Sequence, residues 1–463
     1  MKVILAGYNL DREVIEALKR GETQREDVTP ETLSAAYARI SRDPRPVDEL
    51  RTIARVEVEK ARKSNQNIIF KMGHHSVAEH AVFNFDIIGV SRLALEELEK
   101  FRLCSYTEKS QRYQTLEDDP LIPEEIQIGG QSSLFKDTVA EQNAFYHKLV
   151  QKNIEPEDAR YVTSLATLGQ VGMTINARNL ELLFRRFASH PLAEVQALGR
   201  EMFKQAKAIA PSIILFTEAN PLDRDTYPEL KKAAKDLKGP KKAKEGQAAE
   251  LVDYTREADL KLLAALVHTS SDLNYSECLK AAKSLTEKQK KEIIKTALKN
   301  LEFYDATLRE FEHLDLTYEL TVSAACFGQL KRHRLATLTC QNYDPALGVT
   351  LPPSIKQAGL EEDFLALMKK TEAAYRKISS PYILTNAHRK RVLFKCNARE
   401  LYHISRLRED THAQWDIQEL TKSMTARARS VMPLTLLTIG GKDAYPDIYE
   451  QLFGVRPKAV PLY

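Results

Sequence analysis

Long apolar runs are missing from this 463-residue chain, and with them any segment that could cross a bilayer as a helix. Cysteine is scarce. Cys104, Cys278, Cys326, Cys340 and Cys396 are the five, and their spacing matches neither a zinc site nor a disulfide framework. The opening Val3-Ile4-Leu5-Ala6 soon turns charged, so it reads as a first strand rather than an export signal. Scattered cysteines without such a signal point to a reducing cytoplasm. Glycine is down to 17 residues and no glycine-rich dinucleotide loop occurs, which argues against a Rossmann site. Charge of one sign is also lacking. The net charge is +4, which tolerates an anionic small molecule without demanding one.

What is present is the balance of a folded soluble protein, 43% hydrophobic and 29% charged, at a length that suggests two domains. The sequence also repeats. Ala35–Asp43 reads against Ala264–Asp272, Glu79-His80 against Glu312-His313, and Arg102–Thr107 against Arg334–Thr339. Asn176-Ala177-Arg178 reads against Asn397-Ala398-Arg399, and Glu194–Leu198 against Asp416–Leu420. Five matches in one order at nearly constant separation indicate a tandem duplication. The expected division is residues 1–220, a lysine-rich linker 221–250, and residues 251–463. The linker carries Lys231, Lys232, Lys235, Lys238, Lys241, Lys242 and Lys244. No aromatic residues interleave these lysines, so base stacking is unsupported and a solvated linker with helical stretches is the plainer reading.

Each repeat predicts an amphipathic helix (30–41; 258–270), an alternating strand after Glu-His (82–90; 314–323), and a helix running into a basic segment (93–102; 324–334). Two long helices close each repeat (179–210; 399–431). This mixture is α+β.

The chemistry-bearing residues are also duplicated, with complementary losses. The first repeat has Gly73-His74-His75-Ser76-Val77-Ala78-Glu79-His80, then Lys100-Phe101-Arg102, then Ser105, Glu108, Ser110, Arg112 and Tyr113. The second has an intact Arg332-His333-Arg334, but Asn342 and Asp344 stand where Ser110 and Arg112 stand in the first. Further on, the second repeat has Asn397, Arg399, His403, Arg408 and Ala413-Gln414-Trp415-Asp416-Ile417, with Pro381 upstream. The first has Arg160, Asn176 and Arg178, with Arg185 or Arg186 as its later arginine. Taken singly, an Arg-His-Arg is more often a solvated helix end, and His80 and His313 read as structural histidines.

Together these motifs resemble the flavin-dependent thymidylate synthases. That family carries Gly-His-x-Ser/Thr…Glu-His, then Arg-His-Arg, seven residues, Ser, one residue and Arg. An upstream Arg, an Asn-x-Arg and a further Arg follow, ahead of an Ala-Gln-x-Glu-Ile helix. The resemblance covers nearly all of both repeats outside the linker. It implies two pseudo-symmetric copies of a twisted sheet flanked by helices. It also implies conversion of dUMP to dTMP, with methylenetetrahydrofolate as one-carbon donor and NADPH-reduced FAD as hydride source. By the same resemblance, dUMP would be held by Glu108, Ser110, Arg112, Arg160, Arg186 and Arg408. FAD would be held by His74, Ser76, Arg102, Arg332, His333, Arg334, Asn397, Arg399 and His403. Arg408 would be the catalytic group, at the pyrimidine carbonyl. Because the family is tetrameric, the chain would be a homodimer, its first repeat offering the phosphate cradle and its second the flavin contacts and Arg408. No metal, membrane or nucleic-acid partner is implied. The absence of a Pro-Cys-His segment argues against the cysteine-dependent synthase mechanism. Three alternatives stand beside this reading: a flavoenzyme of the same fold acting on another pyrimidine nucleotide, a non-catalytic flavin- or nucleotide-binding paralogue, and a nucleic-acid-associated protein by way of the basic linker, which salt-sensitive binding to a polynucleotide would support.

Overall fold

The computed structural model describes residues 1–22, 28–113, 120–237 and 248–459. It divides into two compact units, Met1–Lys241 with Lys369–Leu384, and Lys242–Met368 with Thr385–Tyr463.

In the first unit, strands β1 (Lys2–Tyr8), β2 (Val82–Ser91), β3 (Cys104–Glu108) and β4 (Leu168–Asn176) form an antiparallel sheet in the order β1-β2-β4-β3. Alternation in β2 buries Phe83, Phe85 and Ile87 and turns Asn84 and Asp86 outward. At Gly89 the register slips, and the backbone takes φ +69°, a conformation that favours glycine. The slip carries Val90 and Ser91 inward together. The main helices are α1 (Glu31–Arg39), α2 (Arg92–Leu98), α3 (Ser132–Gln151), α4 (Ala177–Ala188) and α5 (Ala193–Ile209). Leu180, Leu183, Phe184 and Phe187 of α4, and Val195, Leu198 and Met202 of α5, join the buried strand face in one core. The two helices approach closely because Gly199 has no Cβ; one there would meet the Phe187 side chain at 2.9 Å.

Residues 369–384 complete this unit. The Leu165 and Ala166 amides donate to the Leu384 and Tyr382 carbonyls at 2.8 and 3.2 Å. Gln142 Nε2 donates to the Ile383 carbonyl at 3.0 Å, and the Tyr382 hydroxyl to Glu194 Oε2 at 2.8 Å. All these groups are buried or nearly so.

The second unit repeats the plan. Strands β5 (Ala249–Tyr254), β6 (Asp315–Ser323), β7 (Thr337–Cys340) and β8 (Arg389–Asn397) pair antiparallel in the order β5-β6-β8-β7. Its helices include α6 (Ala258–Thr269), α7 (Ala324–Leu330), the start of α8 (Glu361–Ile378, whose residues from Lys369 belong to the first unit), α9 (Ala398–Arg408), α10 (Trp415–Val431) and α11 (Tyr445–Phe453). Leu316, Tyr318, Leu320, Val392 and Phe394 pack against Leu401, Ile404, Ile417, Leu420 and Met424. Both units are therefore copies of one α+β fold.

One expectation is corrected. Helices α2 and α7 were expected to run through the basic segments, but they stop at Leu98 and Leu330. The chain leaves the helix there so that Phe101 packs on the core and His333 becomes buried, 3% exposed. The lysine-rich stretch contains two short helices, Pro221–Arg224 and Thr226–Ala233, in keeping with a linker that has helical stretches; its residues 238–247 lie outside the described residues. Among the described residues, no helix is long and apolar enough to cross a membrane, and no acidic, histidine or cysteine cluster could hold a metal.

Candidate functional site

In the first unit, Ser91 Oγ accepts from the Ala94 amide at 3.0 Å and so caps α2. This makes Arg92 the first helical residue, 5% exposed. Its Nη1 donates to Glu108 Oε1 of β3 at 3.2 Å, and its Nη2 lies 3.8 Å from Glu96 Oε1. Just past β3, the Arg112 amide donates to Ser110 Oγ at 3.2 Å and the Arg112 guanidinium pairs with Glu157. Arg160 starts a short 3-10 turn, Arg160–Val162, and its Nε donates to the Glu157 carbonyl at 3.1 Å. Burial chiefly, aided by the charges of Arg92 and Arg112, pushes the Arg160 pKa below its ordinary value. Three guanidiniums and a serine hydroxyl are thus gathered in one polar cluster, with Glu96, Glu108 and Glu157 as their partners. Such a donor set suits a phosphate dianion. Arg186 is engaged elsewhere: its Nη1 and Arg185 Nε hold the two oxygens of Asp223 at 2.9 and 2.8 Å.

In the second unit, Ser323 caps α7 in the same way. Six residues on, Gln329 is 4% exposed, and four further on His333 is 3% exposed. Arg408, at the end of α9, joins them. Its Nε donates to His333 Nε2 at 3.0 Å, its Nη1 to Gln329 Oε1 at 3.1 Å and its Nη2 to the Gln329 carbonyl at 3.4 Å. Because Nε2 accepts, the proton of the neutral imidazole sits on Nδ1, which lies 3.7 Å from Glu400 Oε1. Burial first, then Arg408, His403 and Arg332, hold the His333 pKa well below the usual histidine range. Gln329 Nε2 is buried and has no acceptor among the described residues. Leaving such a donor unmet costs about 1–3 kcal/mol, so it marks a place where an acceptor is wanted.

The remaining motif residues divide by exposure. His74, Ser76, Arg102, Arg332, Arg334 and His403 are exposed. Asn176 and Asn397 cap α4 and α9 by accepting from the Asn179 and Glu400 amides. Arg178 pairs with Glu79, and Arg399 with Glu312 at 2.9 Å and with the Thr307 carbonyl at 2.8 Å. Both Asn-Ala-Arg segments therefore cap a helix and pair with the glutamate of Glu-His, one function repeated in each unit.

The profile of thymidylate synthase complementing proteins matches this chain twice, over residues 25–212 and 250–434. The chain belongs to that family. A flavin-dependent thymidylate synthase of Geobacter sulfurreducens is 33% identical over 42% of this chain and 83% of its own length. A UPF0159 protein of Thermoplasma acidophilum is 23% identical over 87% of this chain and 92% of its own length, so it spans both repeats. The solved Helicobacter pylori thymidylate synthase X with FAD and dUMP aligns at TM-score 0.33 and 18% identity, over 46% of this chain and 99% of its own.

Within this family member, sequence reasoning missed Arg92, Glu96, Glu157 and Gln329. A usable signal existed for one of them: Arg92 directly follows the capping Ser91.

Proposed function

We propose that this chain is a flavin-dependent thymidylate synthase, converting dUMP to dTMP with methylenetetrahydrofolate as one-carbon donor and NADPH-reduced FAD as reductant. The observation that carries the reading is the unmet Gln329 Nε2 beside the fixed Arg408 guanidinium. A pyrimidine carbonyl is an acceptor of the right kind for both groups. Arg408 would stabilise the negative charge that develops on the ring, and it is the candidate catalytic group. In the first unit, Ser110, Arg112 and Arg160, with Arg92 and Glu108 behind them, suit the nucleotide phosphate. Glu157, 27% exposed, would release Arg112 to the dianion.

The flavin fits the donors available. His74, Ser76 and Arg102 in the first unit and Arg332 and Arg334 in the second are exposed donors of the type a pyrophosphate and ring oxygens take. Bound and reduced, the flavin supplies the hydride; the chain binds, orients and polarises. The family relationship supports a methyltransferase acting on a pyrimidine nucleotide, and the two copies per chain support a homodimer.

A second reading, binding without turnover, is favoured by the incomplete set in each unit: Phe101 and Phe187 in the first, Asp344 and Pro381 in the second. The absorbance spectrum of the purified protein, followed by tritium release from labelled dUMP, separates the readings. Flavin absorbance with release supports the synthase. Flavin without release supports the paralogue. A colourless protein that takes up no FAD refutes the synthase, and one that also binds no dUMP refutes both.

A further inference from the structure

The duplication supplies an internal control on the second unit's polar cluster. Counting from the capping serines, Glu97 stands where Gln329 stands, and Phe101 where His333 stands. Counting from the capping asparagines, Phe187 stands where Arg408 stands. In the first unit Phe101 and Phe187 touch edge to face, with ring centroids 5.7 Å apart. Glu97 has turned to His190 Nε2 at 3.2 Å and to Lys100. The hydrogen-bonded pair of one unit is thus an edge-to-face apolar pair in the other. No mixed pair occurs: an arginine against Phe101 would lose its acceptor, and a histidine against Phe187 its donor.

We infer that His333 is a positioning residue whose Nε2 lone pair fixes the Arg408 guanidinium for recognition of the pyrimidine, rather than a flavin contact in its own right. The geometry supports this. His333 is 3% exposed while Arg332 and Arg334 on either side of it are exposed. Its Nε2 is already spent on Arg408, and its Nδ1 faces Glu400. Gln329 holds the other end of the guanidinium twice. Two anchors fix a planar group in position and rotation; one leaves it free to swing. Protonation of the imidazole would remove the acceptor and set two cations against each other. The groups that face it are Arg408, His403, Arg332 and Glu400, three of them cationic or able to become so.

The inference rests on the proposed function, and its test has arms that separate the two. His333→Phe copies the first unit. It is expected to leave FAD affinity within threefold of wild type, to weaken dUMP binding roughly tenfold, and to lower turnover by about 100-fold, the scale of a misplaced catalytic group. His333→Gln keeps an acceptor at the same reach and should recover most of both. The double variant His333→Phe/Arg408→Ala should be no worse than Arg408→Ala alone. Additive losses, or loss of FAD from His333→Phe and not from Arg408→Ala, would overturn the inference. If the wild type binds neither FAD nor dUMP, the proposed function fails and nitrogen NMR of labelled histidine decides this inference alone. At neutral pH the His333 signal, assigned by its loss in His333→Gln, should show an unprotonated Nε2 that shifts in Arg408→Ala. A protonated Nε2 overturns the inference.

Discussion

The two units are built on the same sheet order and the same capping residues, yet each has polar chemistry where the other is plain. The first gathers Arg92, Arg112 and Arg160 around Glu96, Glu108 and Glu157. At the matching positions the second has Ala324, Asp344 and Pro381, and Gly328, Cys340 and Ile378. The second fixes Arg408 with Gln329 and His333, where the first has Phe187, Glu97 and Phe101. The lesson is that duplication separates scaffold from chemistry. What both copies keep, such as the capping Ser91 and Ser323 or the Glu79–Arg178 and Glu312–Arg399 pairs, holds the fold. What only one copy keeps is free to serve a ligand.

The largest expected effect tests whether the first unit stands alone. A chain ending at residue 237 lacks the partners of Leu165 and Gln142 and one partner each of Ala166 and Glu194. Near-ultraviolet circular dichroism and limited proteolysis should show loss of fixed packing; a cooperative, protease-resistant fragment would break the view that residues 369–384 belong to this unit. Next comes Arg408→Ala, which should lower turnover by about 10²–10³, the scale of removing one donor aimed at developing charge. Its effect on dUMP affinity should be smaller, and equal losses in both would recast Arg408 as a simple binding group. Arg112→Ala should weaken dUMP binding about ten- to a hundredfold, as loss of one charge-assisted contact of roughly 1.5–3 kcal/mol requires. Asp344→Ala, at the matching position of the second unit, should change it little, and calorimetric titration of both variants checks the contrast.

A pH test sharpens the comparison further. His388 is buried in the second unit, its Nδ1 accepting from the Thr385 amide at 3.0 Å, and burial lowers its pKa from 6.5 to about 4. The unfolded chain therefore binds a proton between these values that the folded chain refuses, so stability falls as pH drops from 6.5 towards 4. The first unit has Thr167 at the matching position. In His388→Asn this part of the acid loss should vanish. Urea midpoints of variant and wild type that keep a constant difference across the window would refute it. Smallest of all, Arg178→Ala should cost about 0.2–1 kcal/mol, since its pair with Glu79 is about half exposed. Arg399→Ala should cost somewhat more, because it also loses the Thr307 carbonyl.

Much of this was legible in the sequence. The alternation in 82–90 and 314–323 placed β2 and β6, and the ordered repeat matches placed the second copy of each element. Ser110, Arg112 and Arg160 were expected from the family resemblance, and the structure gathers them with Arg92. The rest was hidden for physical reasons. Strand β4 contains Gly169 and Gly172, which dilute the period-two pattern that marks a strand. Phe101 and Phe187, or His333 and Arg408, lie far apart in sequence, and only folding shows that each pair changed together. Asn397 and Arg399 looked like ligand donors because their motif did. Their capping and pairing follow from α9 starting at Ala398, which no motif states.

Residues 369–384 carry a consequence for how this protein is made. The first unit's last partners are translated some 130–150 residues after the described part of its own repeat ends. At about 5–20 residues per second, the nascent unit waits on the order of ten seconds with the Leu165 amide and Gln142 Nε2 lacking their partners, Leu384, Thr371 and Ile383. Synonymous changes that slow translation between residues 237 and 384 should lengthen that exposure and lower soluble yield, while the same slowing after residue 384 should not.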